Sequence, residues 1–141
     1  MTPVRVGFVG TGFIARFHQL MLQGATTPSA IVAVYDADPE RAAAFAADTG
    51  AEVAATIEDL TQRVDAVFVC TWTSAHHTAV AVAAAAGKAV FCEKPLAPDL
   101  EQARALCELV EGAGVTNQVG LVLRRSPAFT LARQLLADPA A

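Results

Sequence analysis

Few residues of this chain are suited to chemistry. Lysine occurs twice against eight arginines, so it is not the routine surface cation, and Lys94 stands in Glu93-Lys94-Pro95 directly after the apolar run Ala89-Val90-Phe91-Cys92. A lysine in a desolvated cleft can shift its pKa and exchange a proton, which a guanidinium cannot. Lys94 is therefore a candidate electrophile or proton donor, the alternative being a solvated loop lysine. Glu93 could pair with Lys94 or cap a backbone turn. Pro95 fixes the chain just after the lysine, through an X-Pro bond that can be cis. His76 and His77 fall in the first turn of an expected helix, where the dipole disfavours a charged ring. His77 suits a solvated or capping role; His76 faces back toward the strand ends.

A second constellation lies at the start. Val4 to Val9 is an apolar run that breaks into Gly10-Thr11-Gly12-Phe13-Ile14-Ala15. Gly10 can take a tight turn, Gly12 has no side chain to hold a phosphate away from the backbone, and Ala15 lets a helix sit close on the strand. The helix N-terminus then offers free N–H groups, those of Phe13 and Ile14 among them, and the positive end of its dipole to an anion. Alone, the hexapeptide is also compatible with a plain turn. Its context is a second apolar run, Ala30 to Tyr35, ending in Asp36, 24 positions after Gly12. That is about the spacing of a ribose-binding carboxylate. Asp38, just before Pro39, fits a helix cap better, which leaves Asp36 free to face a ligand. Strand, glycine turn, helix, strand and acid together predict dinucleotide binding.

The elements that must position these residues alternate along the chain, as in an α/β, doubly wound parallel sheet with helices on both faces. A helix is expected from Pro39 to about Thr49, closed by Gly50. A short strand near Glu52–Ala54, a helix capped by Thr56, and a buried strand Asp65–Cys70 follow. Ser74 is expected to cap the next helix, which ends at Gly87, before a fifth strand Ala89–Cys92. Asp99 caps a helix that stops around Gly112 to Gly114; Val115–Val122 reads as a sixth strand, and Ser126-Pro127 starts a last helix carrying Phe129, Leu131, Leu135 and Leu136 toward Ala141. Ligands in such sheets lie outside the carboxyl ends of the strands where the order reverses, here between strands one and four. The glycine turn, the segment Thr71 to His77 and Glu93-Lys94-Pro95 should converge there, placing Thr71, Thr73, His76, Glu93 and Lys94 beside the cofactor.

Composition limits the other classes. At 141 residues and net charge −4, without a basic run, the chain does not read as a nucleic-acid binder. No charge-free apolar stretch long enough for a membrane span occurs, and Met1 to Arg5 leads straight into a strand, so a cytoplasmic protein is expected. Cys70, Cys92 and Cys107 have no metal-ligand spacing and form no even disulfide set; reduced thiols and no metal are expected.

These residues resemble the glucose-fructose oxidoreductase and inositol dehydrogenase family, also called Gfo/Idh/MocA. The likeness rests on the glycine turn, Asp36 followed by Pro39-Glu40-Arg41-Ala42, the Thr71–His76 segment, Ala86 to Leu96, and Gly120 to Pro127; Glu93-Lys94-Pro95 is its most specific part. The resemblance implies an NAD-type cofactor, with Asp36 on the adenosine ribose and Lys94, the catalytic residue, beside the nicotinamide; the residues themselves favour NAD over NADP, since a 2′-phosphate would meet the Asp36 carboxylate with no arginine immediately following it. It also implies a sugar or polyol substrate and Arg124 at the crossing into a second domain; a homo-oligomer is expected as well, the apolar residues of the last helix favouring self-association. Trp72 departs from the proline often found there. The layout this implies is a dinucleotide-binding Rossmann domain over 1–120 and, over 121–141, a crossing segment and helix at the start of a substrate domain whose remainder the chain lacks, as in a fragment. Two other readings are a stand-alone NAD-binding or sensing module without catalysis, and a methyltransferase, in which Glu93-Lys94-Pro95 has no role.

Overall fold

The computed structural model describes residues 2–137. Strand β1 (Val4–Val9), helix α1 (Phe13–Gln23), strand β2 (Ser29–Tyr35), helix α2 (Pro39–Thr49) and the short strand β3 (Glu52–Val53) form the first half. Helix α3 (Ile57–Arg63) crosses to the second half, made of β4 (Ala66–Val69), α4 (His76–Ala85), β5 (Ala89–Cys92), α5 (Leu100–Ala113) and β6 (Asn117–Val119). A final helix α6 (Pro127–Ala137) follows a 3-10 turn over Val122–Arg125. All six strands are parallel, in the order β3-β2-β1-β4-β5-β6, so the winding reverses between β1 and β4 as expected.

Strand alternation builds two cores from one sheet. Successive side chains point to opposite faces, so Val6 and Phe8 of β1 pack with Ala15 of α1 and Phe45 of α2 on one face, while Val9, Val67, Val69 and Val90 meet Leu60, Val80, Leu106 and Val110 of α3, α4 and α5 on the other. Ala15 is fully buried, the close approach its small side chain predicted. Asp38 caps α2, accepting from the N–H groups of Glu40 and Arg41, and Thr56 and Asp99 cap α3 and α5 in the same way. Gly50 and Gly114 close α2 and α5 in the left-handed conformation.

Two expectations are corrected. Ser74 does not cap α4: it lies inside a 3-10 turn over Thr73–Ala75, and α4 begins at His76 with no side-chain cap. The sixth strand is the three residues Asn117–Val119, paired with Val90–Cys92, not the whole of Val115–Val122, because β5 itself ends at Cys92 and the last sheet bond runs from Gly120 N–H to the Cys92 carbonyl. Beyond Gly120 the chain leaves the sheet and coils, leaving Leu121, Val122 and Leu123 exposed. The end of the last helix toward Ala141 lies outside the described residues. Among those described, no helix is long and apolar enough to cross a membrane.

Candidate cofactor-binding site

Parallel pairing carries the three chemistry-bearing segments to one edge of the sheet. Past the strand ends the ladder continues through Gly10 N–H to the Tyr35 carbonyl (2.8 Å), Cys70 N–H to Val9 (2.8 Å), Glu93 N–H to Val69 (3.0 Å) and Gly120 N–H to Cys92 (2.8 Å). The glycine turn, the residues after β4 and Glu93-Lys94 therefore stand side by side at the carboxyl edge.

At the glycine turn, the two glycines are needed for different reasons. Gly10 has φ +87°, and a Cβ there would sit 2.7 Å from the backbone of Cys70 and Thr71, so the fold itself demands glycine. Gly12 has an ordinary extended backbone, and a Cβ built on it meets nothing within 4 Å. Its lack of a side chain is not needed for packing; it keeps open the space in front of α1. That helix has no side-chain cap and no acid in its first turn, so its leading N–H groups, those of Phe13 and Ile14 included, have no acceptor from within the helix. An uncapped, acid-free N-terminus beneath open space suits a pyrophosphate. The Phe13 side chain is 87% exposed beside it.

Asp36 does more than the sequence suggested. Its Oδ2 accepts the N–H (2.8 Å) and hydroxyl (3.0 Å) of Thr11, and its Oδ1 accepts the Asp38 N–H (2.9 Å) and the Arg41 guanidinium (3.2 Å). Burial pushes this carboxyl up, but the Asp38 and Thr11 N–H groups, the Thr11 hydroxyl and Arg41 outweigh it and leave it below the usual carboxylate range. Asp36 thus pins the glycine turn to the end of β2. Thr11 and Arg41 were not singled out from the sequence. Thr11 sits between two glycines that draw the attention, and Arg41 comes within reach only because Asp38 and Pro39 start a helix that folds it back.

After β4, Thr71 is half-buried, Trp72 is 81% exposed, and Thr73 opens the 3-10 turn. His76 is 1% exposed, its ring between the carbonyl oxygens of Thr71 (Nε2, 3.3 Å) and Leu96 (Nδ1, 3.2 Å). Whichever ring nitrogen carries the proton donates to one of these two carbonyls, and the buried ring lies between two of the converging segments instead of opening onto the crevice. His77 is exposed, as expected.

After β5, Lys94 is exposed and the Lys94–Pro95 bond is cis. Of the two roles open to Glu93, the structure has the second: Glu93 Oε2 accepts the backbone N–H of Lys94 at 2.9 Å and does not pair with the ammonium. Its other oxygen, Oε1, meets His18 Nε2 at 2.6 Å. His18 has no signal of its own in the sequence, where it is one more polar residue in an amphipathic helix; only its inward position on α1 gives it away. Burial and then the Glu93 carboxylate push the Cys92 thiol up to about 12, and the same causes raise Cys70, so both stay neutral and inert. Among the described residues no cluster of three or more His, Cys, Asp or Glu side chains could hold a metal.

A parallel sheet in this order, with an uncapped helix at its switch point and an acid at the end of β2, defines a dinucleotide-binding α/β domain. Residues 4–121 match the Gfo/Idh/MocA family model, described as an oxidoreductase family with an NAD-binding Rossmann fold, and the chain belongs to that family. It is 39% identical over 136 residues to inositol 2-dehydrogenase 3 of Saccharopolyspora erythraea, covering 94% of this chain and 40% of that protein. The structure of UDP-N-acetylglucosamine 3-dehydrogenase from Acidithiobacillus ferrooxidans superposes with a TM-score of 0.84 at 32% identity, over 96% of this chain and 44% of that one. Scyllo-inositol dehydrogenase from Lactobacillus casei, determined with bound NAD(H) and scyllo-inositol, shares the fold with a TM-score of 0.85 at 24% identity, over 96% of this chain and 41% of that one. The chain spans about 40% of the length of the curated relatives it matches.

Proposed function

We propose that this chain is the cofactor-binding part of an NAD-linked dehydrogenase of sugars or polyols, with Lys94 as the group that handles the substrate's hydroxyl proton. The observation that carries this reading is the placement of an exposed lysine, two strands from the glycine turn, on the same sheet edge as an uncapped helix N-terminus. The residues fit the cofactor. The N–H groups of Phe13 and Ile14 would bind the pyrophosphate across the gap left by Gly12. Asp36 would take a ribose hydroxyl in place of Arg41, its longest contact and one made by a half-exposed side chain. Thr71, Thr73 and the His76-tethered segment would form the wall beside the nicotinamide, with Trp72 at its rim.

When bound, NAD supplies the hydride acceptor. The chain's part is to hold Lys94 near the reacting hydroxyl, where an ammonium–amine pair can take up and release a proton. Three free thiols, two of them buried, support a reducing, cytoplasmic setting. Residues 1–120 form the cofactor domain in this reading, and 121–141 lead toward the part that reads the substrate; inositol and UDP-sugar dehydrogenases among the relatives support a polyhydroxylated one.

Turnover tests the lysine. In a polypeptide of the full length of its relatives that carries this domain, Lys94→Ala should lower kcat at least a hundredfold with a polyol substrate, while NADH affinity changes less than about threefold. Equal losses in both would make Lys94 a binding residue and end the catalytic assignment.

A further inference from the structure

His18 has a place in the fold that phosphate binding does not explain. It lies on α1, the helix whose N-terminus forms the pyrophosphate seat, and its ring turns inward among aromatic side chains, with centroids 4.8 Å from Phe91, 5.7 Å from Phe68 and 5.9 Å from Phe17. His18 is 7% exposed and its partner Glu93 6%. A carboxylate buried that far from water must find donors inside the protein. Each oxygen of Glu93 has one: Oε1 meets His18 Nε2 at 2.6 Å, and Oε2 receives the Lys94 N–H at 2.9 Å. The β6 side of the pair is closed, since a Cβ on Gly120 would lie 3.0 Å from Oε1. Glu93 thus has one hydrogen bond to α1, with a partner 75 positions away, and one to the backbone of the candidate catalytic lysine.

We propose that His18 is a positioning residue for Lys94: by holding Glu93 Oε1 it fixes the carboxylate that receives the Lys94 N–H, and so registers the lysine against the helix that seats the cofactor. The inference rests on the reading of Lys94 as the proton-handling group, yet the geometry it asserts is observable without turnover. A pair that merely fills the core would, on removal, loosen the surrounding strands together with Lys94. A positioning pair acts on Lys94 selectively.

The chain has only two lysines, Lys88 and Lys94. Reductive dimethylation with a ¹³C label therefore gives a Lys94 signal with Lys88 as an internal reference, and amide exchange reports the Lys94 N–H directly. His18→Leu should move the Lys94 methyl signal and speed exchange of the Lys94 amide at least tenfold relative to amides of β1 and β4, with Lys88 unmoved. His18→Gln, which retains a donor able to reach Oε1, should recover most of both effects. Should the leucine variant fail to fold, His18→Asn, too short to reach Oε1, must produce the same selective change. An unmoved Lys94, a change shared equally with β1 and β4, or no recovery with glutamine overturns the proposal. If Lys94 responds selectively but Lys94→Ala leaves turnover intact, the positioning stands and the catalytic reading of the lysine fails.

Discussion

At the residue scale, the two glycines of the turn separate folding from binding. Gly12→Val places its side chain in open space in front of α1, so the variant should keep the wild-type melting temperature within about 2 °C while NADH binding is lost. Gly10→Ala should do the reverse first, destabilising the domain by about 1–3 kcal/mol through strain at positive φ and the 2.7 Å approach to Cys70 and Thr71. Thermal melts and NADH titration, followed through the single tryptophan Trp72, distinguish the two; equal NADH affinity in wild type and Gly12→Val would remove the turn as the phosphate site.

Asp36 sets a second residue-scale expectation. A 2′-phosphate brought beside this carboxylate meets like charge, costing roughly 1 to 4 kcal/mol per charge pair at about 4 Å between bulk water and a surface environment. Arg41, 3.2 Å from Oδ1, offsets part of that. NAD should therefore bind more tightly than NADP, Arg41→Ala should widen the gap, and Asp36→Ala should narrow it. Equal dissociation constants for the two dinucleotides in the wild type would count against the ribose assignment.

At the scale of elements, β1 is held to the segment entering β4 by a polar clamp as well as by the sheet. Asp65 accepts the Arg5 backbone N–H (2.9 Å) and two guanidinium contacts (3.1 and 2.6 Å), while its own N–H donates to the Arg5 carbonyl (2.8 Å). The Arg5 guanidinium and N–H hold the Asp65 carboxyl down at about 2, against an ordinary 3.8. A carboxyl depressed in the folded state contributes stability that is complete above its unfolded pKa and is lost as pH falls toward the folded one. Stability should thus decline between about pH 4 and pH 2, and Asp65→Asn should remove that part of the decline while lowering stability at pH 7. Urea melts across this range check it; an unchanged pH slope in the variant would show that the clamp contributes nothing.

At the scale of the whole molecule, the two faces of the sheet are covered and the last helix is not. Phe129, Leu131, Leu135 and Leu136 of α6 are all exposed, and Leu121, Val122 and Leu123 continue the apolar surface before it. Surfaces of this kind drive association in water. The isolated chain should self-associate at micromolar concentrations, and Leu131→Ser combined with Leu135→Ser should shift it toward monomer without loss of NADH binding. Sedimentation velocity reads the outcome, and a wild-type chain that stays monomeric at 100 μM or above, an order-of-magnitude limit for weak association, would contradict it.

Local chemistry was enough to read most of the architecture from the sequence. Apolar runs ending in glycine, Asp38 before Pro39, and Thr56 and Asp99 at helix starts act within a few residues of themselves, so strands, caps and the order of elements followed from their neighbours. The glycine turn and Asp36 were readable for the same reason: strand, turn, helix and acid form one contiguous unit. What needed the folded chain were contacts whose partners are remote in sequence. The Thr11–Asp36 anchor spans 25 positions and the His18–Glu93 pair spans 75. His76 is buried between the carbonyls of Thr71 and Leu96, and β6 leaves the sheet after Gly120, just past the end of β5. A side chain's type limits which bonds it can make, but which bond it makes depends on what the sheet brings alongside it, and that is decided only when the strands pair.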